Sequence, residues 1–468
     1  MIYMYTAEEL SNKMLGFAKN YFLIDVKNDK ESYYALTEAE RLQYPLCSSG
    51  VFLNYVMDGE LEKADNFLAT LPEDGIFKLV KYGLTIVHPK VTLVKFVKTI
   101  KTLKEIDCHL NSVIITGGRP SILNGVNDFT RICPYIERHK EIFLDYFSYI
   151  YEGTISFAVY NLCLAEYYYQ QNRLYNAEIL ANRTINEFDQ DSERRLLFAA
   201  LHLQSKILFA QGKNITPGSY IKNIKSYVKK NGEAEFSYNI DAAAVMSSFY
   251  AGDFNCISKW IKRKAPDEYA DFNMLDTFRY LVKMRCYIIA KEYSAVIALA
   301  EKLRPILTDG KRHMDLCEIS LLVAISLWRM DKKELALEEL SRAMKSIKRF
   351  KYYRLLADEG EAILPILIEY INQTGADSFL KKLLAITRDV AIKYPFYLKA
   401  VYKNAQSFTQ QEIDILLLLE QGKTREEIAE LFLLSENTIK YHLKRIYAKL
   451  GAGTATQAVW QACIIGII

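Results

Sequence analysis

The sequence YNLCLAEYYYQQNRLYNAEILANRTINEFD occupies residues 160–189 and has the spacing of two helices joined by a short polar turn. Leu164, Ala165 and Tyr168 share one face of the first helix, and Ala177 and Ala181 share one face of the second. Small side chains on one helix let the aromatic side chains of its neighbour approach closely. The stretch therefore predicts a tightly packed helical hairpin.

Three other stretches have the same arrangement of an aromatic-rich helix, a polar turn and a helix with small residues. The spacing from Ala295 to Ala336 is 41 residues, against about 34 in the tetratricopeptide repeat that the pattern resembles. The copies are residues 321–347 (Ala324 and Leu327, a turn at 331–333, then Ala336, Leu340 and Ala343), residues 284–303 around Ala295, and a looser one with Tyr55, a turn at 58–60, Ala64 and Leu68.

The rest of the chain extends this helical pattern. Only 10 Pro and 20 Gly occur in 468 residues, and few segments alternate with period two. We predict an all-α chain, in which a solenoid of stacked helical hairpins is followed by a small four-helix domain. The expected domains are residues 1–150, residues 151–403 with the tetratricopeptide-like repeats, and residues 404–468, with a linker at 404–407.

Residues 111–135 interrupt the pattern with Gly117, Gly118, Pro120 and Gly125. Long irregular stretches inside compact regions are often functional. We favour a structural connector between two helical blocks, with a functional loop as the alternative.

The last 62 residues carry a complete set of helix start and stop signals. Thr409 with Glu412, and Thr424 with Glu427, form T-x-x-E capping boxes, and Gly422 is placed to end the helix between them. Ser435 caps a third helix only a few residues after the second, and Thr454 opens a fourth. This order of helices predicts a helix-turn-helix, whose second helix enters the major groove of DNA.

The third helix of this tail has two chemically different faces. Apolar residues predicted to pack inward follow the spacing i, i+4, i+7, i+11, and polar or basic residues follow i, i+3, i+4, i+7 on the other side. Residues 435–450 contain four Lys or Arg and one Glu, whereas the tail as a whole is near neutral. Positive charge concentrated on one helix is typical of a groove-reading element. The inward set is Ile439, Leu443, Ile446 and Leu450; the outward set is Asn437, Lys440, Tyr441 and Lys444.

The tail resembles the LuxR-type helix-turn-helix, which also occurs in NarL- and GerE-like regulators. The matching residues are Phe408, Thr409, Glu412, Gly422, Glu427, Ile428, Ala429, Leu431, Ser435, Thr438, Ile439, Lys440, His442, Ile446, Lys449, Leu450 and Ala458. The resemblance implies that the third helix reads DNA and that the fourth supports dimerisation. The family usually has an Arg shortly after the Lys-Leu pair, where this chain has Ala452-Gly453-Thr454-Ala455, so a phosphate contact or an ion pair of the family is expected to be missing.

Side-chain chemistry assigns roles on double-stranded DNA. Lys440 and Lys444 can donate to guanine O6 and N7 or to phosphate, Asn437 can pair with adenine, and Tyr441 can contact a thymine methyl group or a phosphate. The residues predicted to contact DNA are Thr424, Ser435, Asn437, Thr438, Lys440, Tyr441, Lys444, Arg445 and Lys449. The fourth helix either packs internally or forms the face of a homodimer, with Val459, Trp460, Cys463, Ile464 and Ile467 as the dimerisation candidates.

The helical region resembles the sensor portion of the large MalT-like, ATP-dependent regulators, which implies a small-molecule or protein effector. The ATPase part has no counterpart, because no G-x-x-x-x-G-K-[ST] motif occurs. The histidines lack metal-ligand spacing, no G-x-S-x-G elbow is present, and the scattered cysteines are typical of reduced core residues. We therefore expect no catalysis, no cofactor, no metal site and no membrane segment, and a cytoplasmic location.

The sequence leaves two functions open. The first is a sequence-specific transcriptional regulator in which the helical region senses an effector. The second is a scaffold or adaptor in which the repeats bind another protein and the tail mediates protein interaction or dimerisation; the missing family Arg favours it slightly. The net charge of +4 is too small to decide between them.

Overall fold

A computed structural model describes residues 4–16, 23–105, 119–150, 155–187, 194–213, 224, 237–251, 254–395, 397–399, 408–450, 452–464 and 468. These residues form α-helices joined by turns and two short 3₁₀ segments, and the described part contains no β-strand. The all-α prediction is confirmed. The linker predicted at 404–407 and the glycines at 117 and 118 lie outside the described residues.

The N-terminal helices pack around α5, whose faces are almost all buried by α1, α2, α3, α6 and α7. A helix that is apolar all round is typical of a core position. The helices are α1 (Ala7–Leu15), α2 (Leu23–Asn28), α3 (Lys30–Tyr34), α4 (Glu38–Gln43), α5 (Cys47–Met57), α6 (Leu61–Thr70), α7 (Gly75–Val87), α8 (Leu93–Glu105), α9 (Cys133–Arg138) and α10 (Lys140–Ile150).

The central region is an array of antiparallel helical hairpins, as the repeat pattern predicts. The packed alanines are fully buried where the two helices of each hairpin meet. They are Ala165 and Ala177 in one hairpin, and Ala324 and Ala336 in another. The helices are α11 (Ile155–Gln170), α12 (Leu174–Glu187), α13 (Arg194–Ala210), α14 (Ser237–Ala251), α15 (Phe254–Arg263), α16 (Thr277–Ile289), α17 (Tyr293–Asp309), α18 (His313–Arg329), α19 (Lys333–Phe350), α20 (Tyr353–Ala357), α21 (Gly360–Thr374) and α22 (Ser378–Lys393).

The array has a regular turn that the sequence does not reveal. Lys291, Lys311, Asp331 and Lys351 all have a positive φ, between 53° and 62°, and they follow one another at intervals of 20 residues. Each sits in a helix C-terminus where the next backbone N–H donates to a carbonyl five residues earlier, for example Lys332 N to Leu327 O at 2.9 Å. This is the Schellman arrangement. A hairpin of two such units takes 40 residues, which explains why the copies are spaced more widely than in the usual repeat.

In the copy around Ala295, the predicted small residue is not the one that packs. Ala295 itself is only partly buried, while Val296 and Ala300 form the packed face of α17. One apolar cluster also contains residues from both sides of the predicted boundary at 150/151, among them Phe147 and Leu162. The boundary stays a prediction.

The tail forms four helices around its own core. They are α23 (Gln410–Glu420), α24 (Arg425–Phe432), α25 (Glu436–Leu450) and α26 (Ala455–Ile464). The core contains Ile415, Leu416, Ile428, Ala429, Ile439, Leu443, Ile446, Leu450, Ala458 and Ala462.

Candidate nucleic-acid interface

The predicted capping boxes are present at the starts of the first two tail helices. The Thr409 hydroxyl accepts from Glu412 N at 3.2 Å, and the Thr409 N–H donates to the Glu412 carboxylate at 2.9 Å. Thr424 and Glu427 form the same reciprocal pair at 3.3 and 2.7 Å. Each box satisfies two backbone N–H groups that a helix N-terminus leaves without partners. The helix bounds therefore follow from local side chains before any packing is considered.

The turn between α24 and α25 consists of residues 433–435. Leu433 is left-handed (φ 54°, ψ 40°), and Leu434 N donates to Ala429 O at 2.9 Å. The Ser435 hydroxyl then accepts from Thr438 N at 3.2 Å and lies 2.8 Å from the Thr438 hydroxyl. This compact turn sets α25 across α24, which is the arrangement of a helix-turn-helix.

One face of α25 is buried and the opposite face is open. Ile439, Leu443, Ile446 and Leu450 are each at most 4% exposed, so the predicted inward face is confirmed. Asn437, Lys440, Tyr441, Lys444 and Arg445 are all exposed, and the Tyr441 side chain remains 60% exposed.

The charge on this open face is positive. Neither Lys440 nor Lys444 forms an ion pair with any residue that the structure describes, so their ammonium groups are available to an anion. A helix with donors and positive charge outward and an apolar face inward can lie in the major groove.

Lys449 is placed differently from the other predicted contacts. Its ammonium lies 2.5 Å from the buried carboxylate of Glu412, and its side chain is only 13% exposed. Arg445 approaches the same carboxylate at 3.7 Å while remaining about half exposed. Burial alone raises the pKa of Glu412, but the hydrogen bonds from Lys449 and the Thr409 N–H more than offset it, so the pKa is below its ordinary value.

The role of Glu412 was not predicted beyond its cap. It joins α23 to the end of α25 through a pair of charges 37 residues apart. The T-x-x-E pattern predicts the cap, but nothing in the sequence predicts the contact of Glu412 with Lys449.

Helix α26 has an inner and an outer side. Ala458 and Ala462 are fully buried, Val459 is partly buried and Trp460 is 51% exposed. The side chains of Cys463 and Ile464, and the whole of Ile467, lie outside the described residues. The dimerisation residues stay a prediction, and Trp460 is the exposed member of the set among those described.

The irregular stretch that interrupted the helical pattern is a buried connector in its described part, residues 119–135. Ile122, Leu123 and Asn124 are each 1% exposed. The carboxylate of Glu166 on α11 accepts from Ile122 N at 2.8 Å and from Leu123 N at 3.1 Å. These bonds compensate the backbone groups of a buried loop.

A network of buried charges fixes the same loop to the helical array. Arg119 pairs with Asp315 at 2.7 Å and with Glu318 at 3.2 Å, and Arg285 pairs with Glu318 at 2.8 Å and with Glu359. Burial raises the pKa of Glu318, but Arg119 and Arg285 outweigh it and lower the pKa to about 2. Glu318 therefore stays ionised at neutral pH in a nearly dry environment.

The described residues hold no helix that is both long and apolar enough to cross a bilayer. Among them, no group of three or more His, Cys, Asp or Glu side chains is placed to hold a metal ion.

Comparison with known proteins assigns both regions. A family model described as a MalT-like TPR region matches residues 152–373, and a model described as bacterial regulatory proteins of the luxR family matches residues 406–462.

Relatives of known name match in parts. The transcriptional activator protein SolR of Ralstonia nicotianae is 34% identical over 79 residues, which are 17% of this chain and 34% of SolR. The transcriptional activator protein PhzR of Pseudomonas fluorescens is 30% identical over 110 residues, 24% of this chain and 39% of PhzR. The HTH-type transcriptional regulator MalT of Klebsiella pneumoniae is 22% identical over 312 residues, 62% of this chain and 34% of MalT.

The matches thus span between 34% and 39% of the length of these three relatives. The first family model matches the helical array, and the second matches the four-helix tail that follows it. The chain therefore contains a region that matches the MalT-like TPR model, followed by a tail that matches the model of the luxR family of bacterial regulatory proteins.

Proposed function

We propose that the chain is a sequence-specific DNA-binding transcriptional regulator whose helical array senses an effector and controls the tail. The observation that carries the proposal is the open face of α25. It presents Asn437, Lys440, Tyr441 and Lys444 on one side of a helix whose other side is fully packed. The helix-turn-helix of the luxR family and relatives named as transcriptional regulators support it.

The roles on DNA divide between bases and phosphates. Lys440 and Lys444 contact guanine edges, Asn437 contacts adenine and Tyr441 contacts a thymine methyl group or a phosphate. Phosphate contacts come from polar groups at the helix starts, of which Thr438 is partly buried, and from Arg445, and these set the register of the helix in the groove. That phosphate-contacting set is Thr424, Ser435, Thr438 and Arg445.

Lys449 takes a supporting role in this proposal. Its ammonium is already compensated by Glu412, so releasing it to a phosphate would leave a buried carboxylate without a partner. We infer that Lys449 holds the end of α25 against α23 and that Arg445, which is more exposed, supplies the contact to DNA.

A two-fold dimer on a palindromic site follows from the exposed side of α26. Trp460 is exposed and Val459 partly buried on that side, and Cys463, Ile464 and Ile467, whose side chains lie outside the described residues, stay predicted members of the interface. Two copies would place their α25 helices in successive major grooves about 34–36 Å apart.

The test is selection of bound duplexes from a random pool with the full chain. Enrichment of one motif is expected, with an affinity that falls steeply as salt rises, by a slope of about −0.9 per phosphate contact. If the retained pool stays random and retention does not depend on salt, while a protein partner binds tightly, the adaptor function replaces this one.

A further inference from the structure

The helical array contains a cleft of about 1100 Å³, including its open mouth. Residues from α11, α13, α14, α16, α18 and the buried loop at 119–124 line it. Most of that volume is open to solvent, and the part that compares with a cavity is about 100 Å³. This is of the order of the roughly 150 Å³ cavity that holds benzene, so the cleft suits only a small organic molecule. The kind of ligand that fits depends on which polar and charged groups of the cleft wall lack a partner.

Most charged groups of the cleft already have partners. Arg285 pairs with Glu318 and Glu359, and Arg119 pairs with Glu318. The carboxylate of Glu166 accepts from Ser121 and from two backbone N–H groups. These three carboxylates therefore have little capacity left for a cation.

Lys206 is the exception among the cleft cations that the structure describes. Its ammonium lies 3.9 Å from Asp358, beyond hydrogen-bond distance, and no described residue accepts a hydrogen bond from it. Asp358 is instead bound by Tyr169, whose hydroxyl donates at 2.7 Å, and by Arg354. Burial in the cleft lowers the pKa of Lys206, and Asp358 opposes that effect.

Several other buried groups in the cleft wall lack hydrogen-bond partners among the described residues. Besides the two described next, they are Asn124 Oδ1, His202 Nδ1 and Asp358 Oδ1, the last of which is approached by Arg354 as an ion pair. The Nε of Arg354, a side chain that is 3% exposed, donates to nothing. The amide oxygen of Gln170, which is 6% exposed, accepts nothing. Buried polar groups are normally paired, so such groups around one cleft indicate a missing partner.

Aromatic rings form the rest of the wall. Phe209 and Tyr250 stack with centroids 5.3 Å apart, Tyr394 packs edge-on against both, and Phe278 lies on the opposite side near His202. Such rings bury the body of a planar or apolar molecule. The unpaired donors then lie at the edge of an apolar surface.

We propose that this cleft binds a small organic anion, with its carboxylate or phosphate on Lys206 and its body against the aromatic wall. The unpaired Nε of Arg354 supplies a second donor, and Gln170 accepts from a hydroxyl or amino group of the ligand. A neutral ligand would cover the Lys206 ammonium, whose side chain is 35% exposed, and leave it only Asp358 at 3.9 Å and the face of the Tyr169 ring at 4.9 Å. The proposal deepens the sensing role proposed above and rests on it.

The test is calorimetric titration of the full chain, without DNA, with benzoate, phenyl phosphate, inorganic phosphate and neutral benzamide. Saturable binding of benzoate or phenyl phosphate is expected, and the tighter of the two distinguishes a carboxylate from a phosphate source. Benzamide, which has the same ring without the charge, is expected to bind at least tenfold more weakly, and inorganic phosphate, which lacks the body, more weakly too.

Variants assign the effect to the residue. Lys206→Met is expected to weaken binding at least tenfold and Lys206→Arg to retain it, whereas Lys259→Met, at an exposed lysine of α15, is expected to change nothing. The proposal is overturned if neither aromatic anion binds saturably or if benzamide binds as tightly as benzoate. Equal binding by a folded Lys206→Met chain also overturns it. Because no DNA is present, these outcomes are independent of the duplex selection that tests the proposed function.

Discussion

Lys444 is the residue on which the DNA-reading role can be measured most directly. It is exposed one turn after Lys440 and has no carboxylate partner in the described part of the chain. Lys444→Ala is expected to weaken binding to the selected duplex by about 1–3 kcal/mol, because a charge-assisted contact to a base is lost. Fluorescence anisotropy titration at fixed salt measures the change.

Lys381→Ala is the matched control, since Lys381 is an exposed lysine of α22 in the helical array. It is expected to leave the affinity unchanged. Equal affinities of the Lys444→Ala and Lys381→Ala chains for the selected duplex would remove Lys444 from the interface.

Glu412 is the residue on which the position of α25 depends. Glu412→Gln keeps an amide that can still form the capping box, but it removes the charge that compensates Lys449. The tail is expected to lose about 1–3 kcal/mol of stability, the usual cost of an uncompensated group in a nearly buried site. Hydrogen exchange of the α23 and α25 peptides in the full chain reports it as faster exchange.

The exposed Glu430 of α24 provides the control, because Glu430→Gln has the same chemistry without a buried partner. Its exchange rates are expected to match those of the unchanged chain. If both variants exchange at the same rate, the Glu412 carboxylate does not hold the tail together.

At this scale, periodicity predicted which side chains of α25 point outward but not which of them are already paired. Asn437 and Lys444 are exposed because the helical repeat puts them opposite Ile439 and Leu443. Lys449 is held by Glu412, which is 37 residues earlier in the chain. A contact at that separation depends on how two helices cross, and no local pattern encodes it.

At the scale of the element, the helix ends of the array share a left-handed residue that is not glycine. Lys291, Lys311, Asp331 and Lys351 adopt φ between 53° and 62°. Glycine is the usual residue at this position, so its absence hid the 20-residue period from the sequence. The alanines of the packed faces revealed the hairpins, and the turns that space them were found only in the structure.

Leu433 has the same conformation in the turn of the helix-turn-helix and is 93% exposed. A residue other than glycine loses about 1–2 kcal/mol of stability in the left-handed conformation. Glycine avoids that loss, but part of the gain is cancelled because glycine has more conformational freedom in the unfolded chain. Leu433→Gly is therefore expected to stabilise the tail by about 0.5–1 kcal/mol. Hydrogen exchange of the α24 and α25 peptides in the full chain is expected to slow by about two- to fivefold.

Leu431→Gly separates this conformational effect from the loss of an exposed leucine. Leu431 is 61% exposed inside α24, where glycine destabilises a helix by about 1 kcal/mol. The two substitutions are thus expected to change exchange in opposite directions. Faster exchange in both would show that the strain at Leu433 is not relieved by glycine.

At the scale of the whole molecule, buried charges join segments that are far apart in the sequence. Arg119 in the loop and Arg285 on α16 both pair with Glu318 on α18, and Arg285 also reaches Glu359 before α21. The sequence predicted a connector at this loop from its Gly and Pro content. It did not indicate that the loop carries an arginine into the array, because the partners of Arg119 are about 200 residues away in the chain.

Glu318→Gln tests whether this network stabilises the fold. The change leaves Arg119 and Arg285 with less compensating charge in a buried site, which typically costs about 3–5 kcal/mol. The midpoint of urea unfolding of the full chain, followed by circular dichroism near neutral pH, is expected to fall accordingly. Glu338→Gln, at an exposed position of α19, serves as the control and is expected to leave the midpoint unchanged.

The contribution of Glu318 to stability is expected to depend on pH in a definite direction. The pKa of Glu318 is lowered in the folded chain to about 2 from its ordinary value of 4.5, so its ionised form stabilises the fold above about pH 4.5. That contribution, about 3 kcal/mol at 1.36 kcal/mol per pKa unit, is lost as the pH falls from about 4.5 through about 2. The difference in stability between the unchanged chain and Glu318→Gln should therefore shrink over this range. A difference that stays constant from neutral pH to about pH 2 would mean that the charge of Glu318 contributes nothing and that only its shape matters.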